Sequence, residues 1–241
     1  MDERQDLIKE RFKGAGIEIT DRQAEQFEVY YEMLVETNKV MNLTAVTEFE
    51  EVVGRHFLDS VLVTKYYDFA GVGNFIDVGT GAGFPGIPIK ILYPQISVTL
   101  LDSLGKRVAF LSNVVDNLAL KKNGESMELI HGRAEDFGRD PRYREQYDLC
   151  LSRAVANLST LSEYCTPFVK TGGVFVSYKS GEMEEELETA KPAIKELGCK
   201  TRAVEKFTLD GAGRSLIFIE RIEKLSGRYP RKAGIPAKQP L

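Results

Sequence analysis

The sequence predicts an α/β fold in which a mainly parallel, doubly wound sheet follows a helical N-terminal segment. Three observations carry this. From residue 74 onward, short apolar runs alternate with amphipathic stretches, the pattern of repeated βαβ units. The first seventy residues show helical rather than alternating periodicity. A glycine-rich turn follows the first apolar run and leads into a helix, as turns do at the carboxyl edge of such sheets.

The helical segment opens its main helix at Thr20-Asp21-Arg22-Gln23. This spacing lets the Thr hydroxyl and the Gln side chain satisfy free N–H groups reciprocally. Ala24, Phe27, Tyr31 and Leu34 then form one apolar face. Thr47-Glu48-Phe49-Glu50 has the same capping spacing and precedes Val52, Val53, Phe57, Leu58, Val61 and Leu62. Strands are expected at 75–78, 97–101, 127–130, 147–151 and 174–178, with helices near 86–93, 105–119, 157–169 and 182–197. Residues 214–220 read as a late strand with no helix pattern after it, suited to antiparallel pairing at the sheet edge. These elements divide the chain into a helical cap (1–70), an α/β body (71–221) and a basic tail (222–241).

Composition narrows the function classes. Of 241 residues, 43% are hydrophobic and 28% charged, an ordinary globular balance. No apolar run approaches the roughly 20 residues that a membrane span requires. Met1-Asp2-Glu3-Arg4-Gln5-Asp6 lacks the apolar core of a secretory leader, so a cytoplasmic location is expected. Three scattered cysteines (Cys150, Cys165 and Cys199) suit neither a disulfide framework nor a zinc site, and no metal is expected. Cys150 reads as a core residue. The net charge of −4 argues at first against a nucleic-acid partner, but it hides a gradient. Residues 1–70 are net −7, residues 71–199 net −3 and residues 200–241 net +6. The basic end is therefore either a phosphate contact or a solvated tail.

The most informative segment is Asp77-Val78-Gly79-Thr80-Gly81-Ala82-Gly83-Phe84-Pro85-Gly86. Its glycines allow a tight turn and close approach of a ligand. Gly81-x-Gly83-x-x-Gly86 formally matches a dinucleotide motif, and Asp102 at the end of the second strand suits ribose hydroxyls. Asp77 weighs the other way. A carboxylate beside the turn opposes a pyrophosphate, which wants bare N–H groups and a positive helix end. It favours a ligand that carries an ammonium, a sulfonium and a ribose, as S-adenosylmethionine does.

With this turn the chain resembles the bacterial ribosomal small-subunit methyltransferase G family, also called glucose-inhibited division protein B. Matching segments span most of the chain: Asn42-Leu43-Thr44, Arg55-His56-Phe57-Leu58-Asp59-Ser60, the glycine turn through Ile87-Pro88, Leu101-Asp102-Ser103-Leu104-Gly105-Lys106-Arg107, Ser152-Arg153-Ala154 and Tyr229-Pro230-Arg231-Lys232-Ala233-Gly234. The resemblance implies a seven-stranded class I, Rossmann-like methyltransferase sheet, S-adenosyl-L-methionine as cofactor, and methylation of guanine N7 in 16S ribosomal RNA or the 30S subunit by a monomer. It places Gly79, Gly81, Gly83 and Phe84 with Asp77 around the cofactor. Asp102 would hold the ribose, Ser103 would be a further cofactor contact, Ala134 and Glu135 would lie at the adenine, and Arg153 at the methionine end beside the base.

The expected chemistry is spare. Guanine N7 carries a free lone pair and needs no general base, so catalysis rests on positioning and electrostatics. Arg153 is read as the positioning residue, with a surface arginine at a strand end as the bland alternative. His56 is either structural, paired with Asp59 three residues on, or a cleft residue with Arg55. Lys106, Arg107, Lys179, Arg214, Arg228, Arg231 and Lys232 are expected phosphate contacts, although Lys106 and Arg107 equally suit a solvated first helical turn. Glu182 to Glu188 read as a solvated helix face. Two other readings stay open: a nicotinamide-dependent oxidoreductase using the same turn, and a non-catalytic RNA-binding module built on this fold.

Overall fold

The computed structural model describes residues 3–121 and 126–241. Seven strands form one sheet: β1 (Asn74–Val78), β2 (Ser97–Asp102), β3 (Met127–His131), β4 (Tyr147–Arg153), β5 (Val169–Ser180), β6 (Cys199–Leu209) and β7 (Ala212–Arg221). Their order is β3-β2-β1-β4-β5-β7-β6. β1 to β5 run parallel, and β7 lies antiparallel between β5 and β6. The chain moves outward from β1 through β2 to β3, then crosses to β4 on the other side of β1. That reversal opens a crevice at the carboxyl ends of β1 and β4, which is where ligands bind in open α/β sheets.

The sheet departs from expectation at one end. Residues 199–209 carry no strand in the sequence reading, yet they form β6. Its burial is weak and intermittent, with Lys200, Arg202, Lys206 and Thr208 exposed. An edge strand with charged positions lacks the apolar run that marks an interior one. The late strand is antiparallel as expected, but β6 covers it, so β7 is not the edge. The expected helix over 157–169 is also shorter, because β5 begins at Val169, paired with Tyr147.

Helices cover both faces of the sheet. On one lie α1 (Glu3–Gly14), α2 (Asp21–Met41), α3 (Phe49–Val52), a π-helical turn over Val53–Leu58, and α4 (Asp59–Val61). α5 (Gly86–Leu92) and α6 (Gly105–Asn117) join them in a single apolar core with Phe75, Val98, Leu100 and Val176 of the sheet. An aromatic column threads this core, with ring centroids 4.9 Å apart for Phe12 and Phe27, 5.0 Å for Phe27 and Phe57, and 5.3 Å for Tyr30 and Phe57. On the other face, α7 (Ala134–Phe137), α8 (Leu158–Cys165) and α9 (Glu184–Glu196) enclose a second core with Ile76, Val78, Leu101 and Cys150. Residues 222–241 end in α10 (Ile235–Lys238) and pack onto this face, burying Leu225, Tyr229 and Pro236. Among the described residues no helix is long and apolar enough to cross a membrane.

Both caps were tested by the fold. At Thr20 the expected box forms: the Gln23 amide donates to Thr20 Oγ1 (3.2 Å) and the Thr20 amide to Gln23 Oε1 (2.9 Å). Gln23 Nε2 also donates to the carbonyls of Ile91 (2.9 Å) and Leu92 (3.3 Å), closing the end of α5. One side chain thus caps the start of one helix and the end of another. The box expected at Thr47 does not form. The helix starts one residue later, with Glu48 before it, and the Thr47 carbonyl instead accepts the Tyr31 hydroxyl (3.2 Å). Gln23→Ala removes both functions of Gln23, and it should cost about 1–2 kcal/mol in denaturant unfolding. A loss below a few tenths would contradict the dual cap.

Candidate active site

The site is organised from Asp77, completely buried at the end of β1. Its Oδ2 accepts the Thr80 hydroxyl (2.6 Å) and the Gly86 amide (2.8 Å), which pins both ends of the glycine turn. Its Oδ1 has no partner. Within the turn, a Cβ on Gly79 would lie 2.6 Å from Val155 Cγ2 at a φ of +71°. One on Gly83 would lie 2.6 Å from the Tyr30 hydroxyl at a φ of +105°. The Gly81 amide donates to Asp102 Oδ2 (2.9 Å), and the Leu104 amide to Asp102 Oδ1 (2.9 Å). The two acids therefore hold the turn from either side.

Two clefts open at this edge. The first, about 220 Å³, is lined by Gly79, Asp102, Ser103, Ala134, Glu135, Val155 and Tyr164, among others. It gathers the residues expected at the ribose and adenine. The second, about 570 Å³, is lined by Arg55, His56, Asp59, Arg153, Tyr178, Lys179 and Arg214, among others. They adjoin at the β4–α8 loop, where Ala154 adopts a left-handed φ of +57° and the residues on its two sides line different clefts. A non-glycine residue in that region is strained, and such strain concentrates at functional sites. A larger recess of about 880 Å³ lies along α8 and α9, lined by Glu182, Glu184, Glu185 and Glu186, charges that repel phosphate.

Asp59, which sequence reasoning considered only as a partner for His56, is the hub of the second cleft. Its Oδ2 accepts Arg153 Nη1 (2.9 Å) and its Oδ1 accepts Arg214 Nε (3.0 Å), joining β4 and β7 to the cap. His56 lies instead 2.7 Å from the Thr44 hydroxyl, stacks on Phe84 with centroids 4.7 Å apart, and approaches Arg153 at 3.5 Å. Burial and the Arg153 charge push its imidazole down to about 4, so it stays neutral at physiological pH. Arg55 and His56 both sit on the π-helical turn, a distortion common at functional sites. The Phe84 ring turns into the aromatic column beside Tyr30 and Phe57, with the Arg153 guanidinium 5.1 Å from its centre.

The expected phosphate contacts separate into two groups. Arg55 and Lys106 are exposed, as are Arg228 and Lys232. Four others are engaged within the fold, Arg214 through Asp59. Lys179 donates to Glu186 (2.7 Å) and the Ala156 carbonyl (2.9 Å), so Glu186, half-buried, is tied into the fold where the sequence suggests a free solvated face. Arg107 lies 3.5 Å from Asp102. Arg231 is bound bidentately to Glu163. Among the described residues no three metal-ligating side chains gather. Burial pushes the Cys199 thiol up to about 12 and holds that of Cys150 well above its ordinary value, so neither is a thiolate at neutral pH.

Residues 23–216 match the family model described as rRNA small subunit methyltransferase G. The chain is 48% identical to the ribosomal RNA small subunit methyltransferase G of Brevibacillus brevis, over 98% of this chain and all of that one. It is 45% identical to the protein of that name from an Exiguobacterium species, over 96% and 97% of the two chains. This chain belongs to the rRNA small subunit methyltransferase G family. Its fold is also that of a solved mitomycin 7-O-methyltransferase, at a TM-score of 0.56 and 12% identity over 80% of this chain and 60% of that one.

As a methyltransferase of this family the chain uses S-adenosylmethionine, and its turn fits that cofactor better than a dinucleotide. The Gly86 amide, at the start of α5, is already taken by Asp77. A pyrophosphate would need that N–H and would meet a carboxylate instead. The unpartnered Oδ1 of Asp77 suits a cation. Burial, the largest effect, pushes the Asp77 carboxyl up from 3.8 to about 7, although the hydrogen bonds from Thr80 and Gly86 and the Arg153 charge act in the opposite direction. The folded protein then retains a proton that the unfolded chain releases between these values. Stability is therefore greatest below pH 4 as far as Asp77 is concerned, and is lost as pH rises through 7. Without cofactor, thermal melts should show this loss, on the order of a few kcal/mol. Asp77→Asn should flatten the pH 5–8 limb; an unchanged slope would mean Asp77 does not titrate there.

Proposed function

We propose that the chain transfers the methyl group of S-adenosylmethionine to N7 of a guanine in 16S ribosomal RNA, with the small ribosomal subunit as the particle it acts on and the cytoplasm as its location. The observation that carries this is the pair of clefts meeting at Arg153–Val155: one framed by acids suited to an ammonium and a ribose, the other framed by arginines. In the first, Asp102 offers acceptors to ribose hydroxyls while it anchors Gly81. Asp77, buried behind the cleft, holds Thr80 and Gly86 of the turn in place, and Ala134 and Glu135 form the adenine wall. When bound, the cofactor supplies an electrophilic methyl on a sulfonium.

The second cleft is where the acceptor base would enter. N7 is already nucleophilic, so the chain needs only to hold the purine in line and screen its surroundings. The cleft fits that limited task. His56 is neutral and does not change its charge near pH 7. Arg153 is fixed on both sides, by Asp59 and by the Phe84 face, so its orientation costs little entropy on binding. Arg153 and Arg214 share one carboxylate, which leaves the cluster net positive, as an RNA substrate requires. Exposed Arg55 at the rim suits the flanking phosphates.

Labelled cofactor incubated with small subunits that lack the modification should place label on a single ribosomal RNA guanine, read by mass spectrometry. No transfer, with no cofactor binding by calorimetry, would end this reading. The two clefts should also separate by mutation. Asp102→Ala should weaken S-adenosylhomocysteine binding by about 10–100-fold, through both the lost acceptor and the loosened turn. Arg153→Ala should lower turnover by about 100-fold through lost positioning, with cofactor affinity within a factor of about two. Equal loss of cofactor affinity in both variants would contradict the division.

A further inference from the structure

We propose that residues 229–241 brace the cofactor cleft, with Arg231 and Gly234 as positioning residues for Glu163 and Glu135. This rests on the reading above that the cleft framed by Gly79, Asp102 and Ala134 holds S-adenosylmethionine. The sequence makes this segment a basic tail, and its charge points toward RNA. The fold uses it differently.

Glu163, on α8, is completely buried. Its carboxylate accepts the Arg231 amide (2.7 Å to Oε1), Arg231 Nε (2.9 Å to Oε1, 3.1 Å to Oε2) and Arg231 Nη2 (2.6 Å to Oε2). Nη2 also donates to the Gln239 carbonyl (2.8 Å). A buried carboxylate without such partners would be strongly unfavourable, so Glu163 fixes the segment tightly. Three residues on, the Gly234 amide donates to Glu135 Oε1 (2.9 Å). The Thr160 hydroxyl donates to the Pro236 carbonyl (3.1 Å), and Arg144 Nη1 bridges the carbonyls of Gly138 (2.9 Å) and Tyr229 (2.7 Å).

These ties reach the cleft walls. Glu135 is a wall residue, and Glu163 directly precedes Tyr164, which is another. α7, which carries Ala134 and Glu135, has four residues. A single helical turn has almost no stability of its own, so its place is set by what it is bound to. Here that includes Gly234 from one end and Arg144, shared with Tyr229, from the other. An arginine that binds phosphate must present its donors outward, whereas Nε and Nη2 of Arg231 point to Glu163 and Gln239. The brace therefore accounts for Arg231 better than a phosphate contact does, and less of the basic charge of the terminal segment is available to RNA than its count suggests.

The paired variant Glu163→Gln with Arg231→Met removes the ion pair without stranding a buried charge. It should raise the dissociation constant for S-adenosylhomocysteine, and the KM for S-adenosylmethionine, by about tenfold, through a loosened supporting shell. Affinity for unmodified small subunits, and its dependence on salt, should be unchanged. If cofactor affinity is unchanged, or the salt slope falls by about one phosphate contact (about 0.7 to 0.9), Arg231 serves RNA and the brace is overturned. A second measurement uses the unaltered protein. Because coupling is reciprocal, S-adenosylhomocysteine should slow hydrogen exchange at the Arg231 and Gly234 amides. Exchange that ignores the ligand overturns the proposal. Should the unaltered protein neither bind S-adenosylhomocysteine nor transfer a methyl group, the cofactor reading itself fails, an outcome distinct from loss of the brace.

Discussion

The structure depends on a carboxylate placed where it is least comfortable. Asp77 sits dry at the end of the central strand, with one oxygen satisfied and the other bare. Water cannot solvate it, so the fold supplies the Thr80 hydroxyl and the Gly86 amide, and these two bonds set where the glycine turn leaves the sheet and where α5 begins. The turn in turn presents Gly81 to Asp102 and brings Gly79 against Val155. The discomfort of this one group is thus what fixes the shape of the turn above it.

The helical cap acts on the site rather than merely covering the sheet. Tyr30 reaches from α2 to the Ala82 carbonyl, and the Tyr178 hydroxyl donates to the Ser60 carbonyl (2.8 Å), so turn, cap and β5 are tied together. Asp59 extends that tie to Arg153 and Arg214. A side chain from the cap thus orients guanidinium groups from two strands far apart in sequence. The overall net charge of −4 is no obstacle to an RNA substrate, because positive charge is needed along the path of one structured RNA and not over the whole surface.

Much of this was legible in the chain. Strand–helix alternation gave the parallel sheet, since interior strands must be continuously apolar when both faces are covered. Asp77, the alternating glycines and Asp102 lie in two short segments whose spacing is fixed by one βαβ unit, which is why their gathering around one turn could be read. The arginine-lined cleft was harder. Asp59 looked like a helix neighbour of His56, and nothing local reveals that its partners come from residues 153 and 214. β6 escaped because an edge strand needs no apolar run, and Thr47 was misjudged because a capping spacing says nothing about competitors such as the Tyr31 hydroxyl.

The fold class, the glycine turn with its two acids, and the family were legible in the chain, because each is written in short segments that can be recognised one by one without knowing how they pack. Tertiary structure alone decided how charge is spent. Lys179, Arg107 and Arg231 look alike as basic residues, but the fold sets Glu186, Asp102 and Glu163 beside them, while Lys106 and Lys232 remain exposed. Whether a cation meets RNA depends on which carboxylate lies within a few ångströms of it, and that distance is fixed only when strands and helices remote in sequence have packed together.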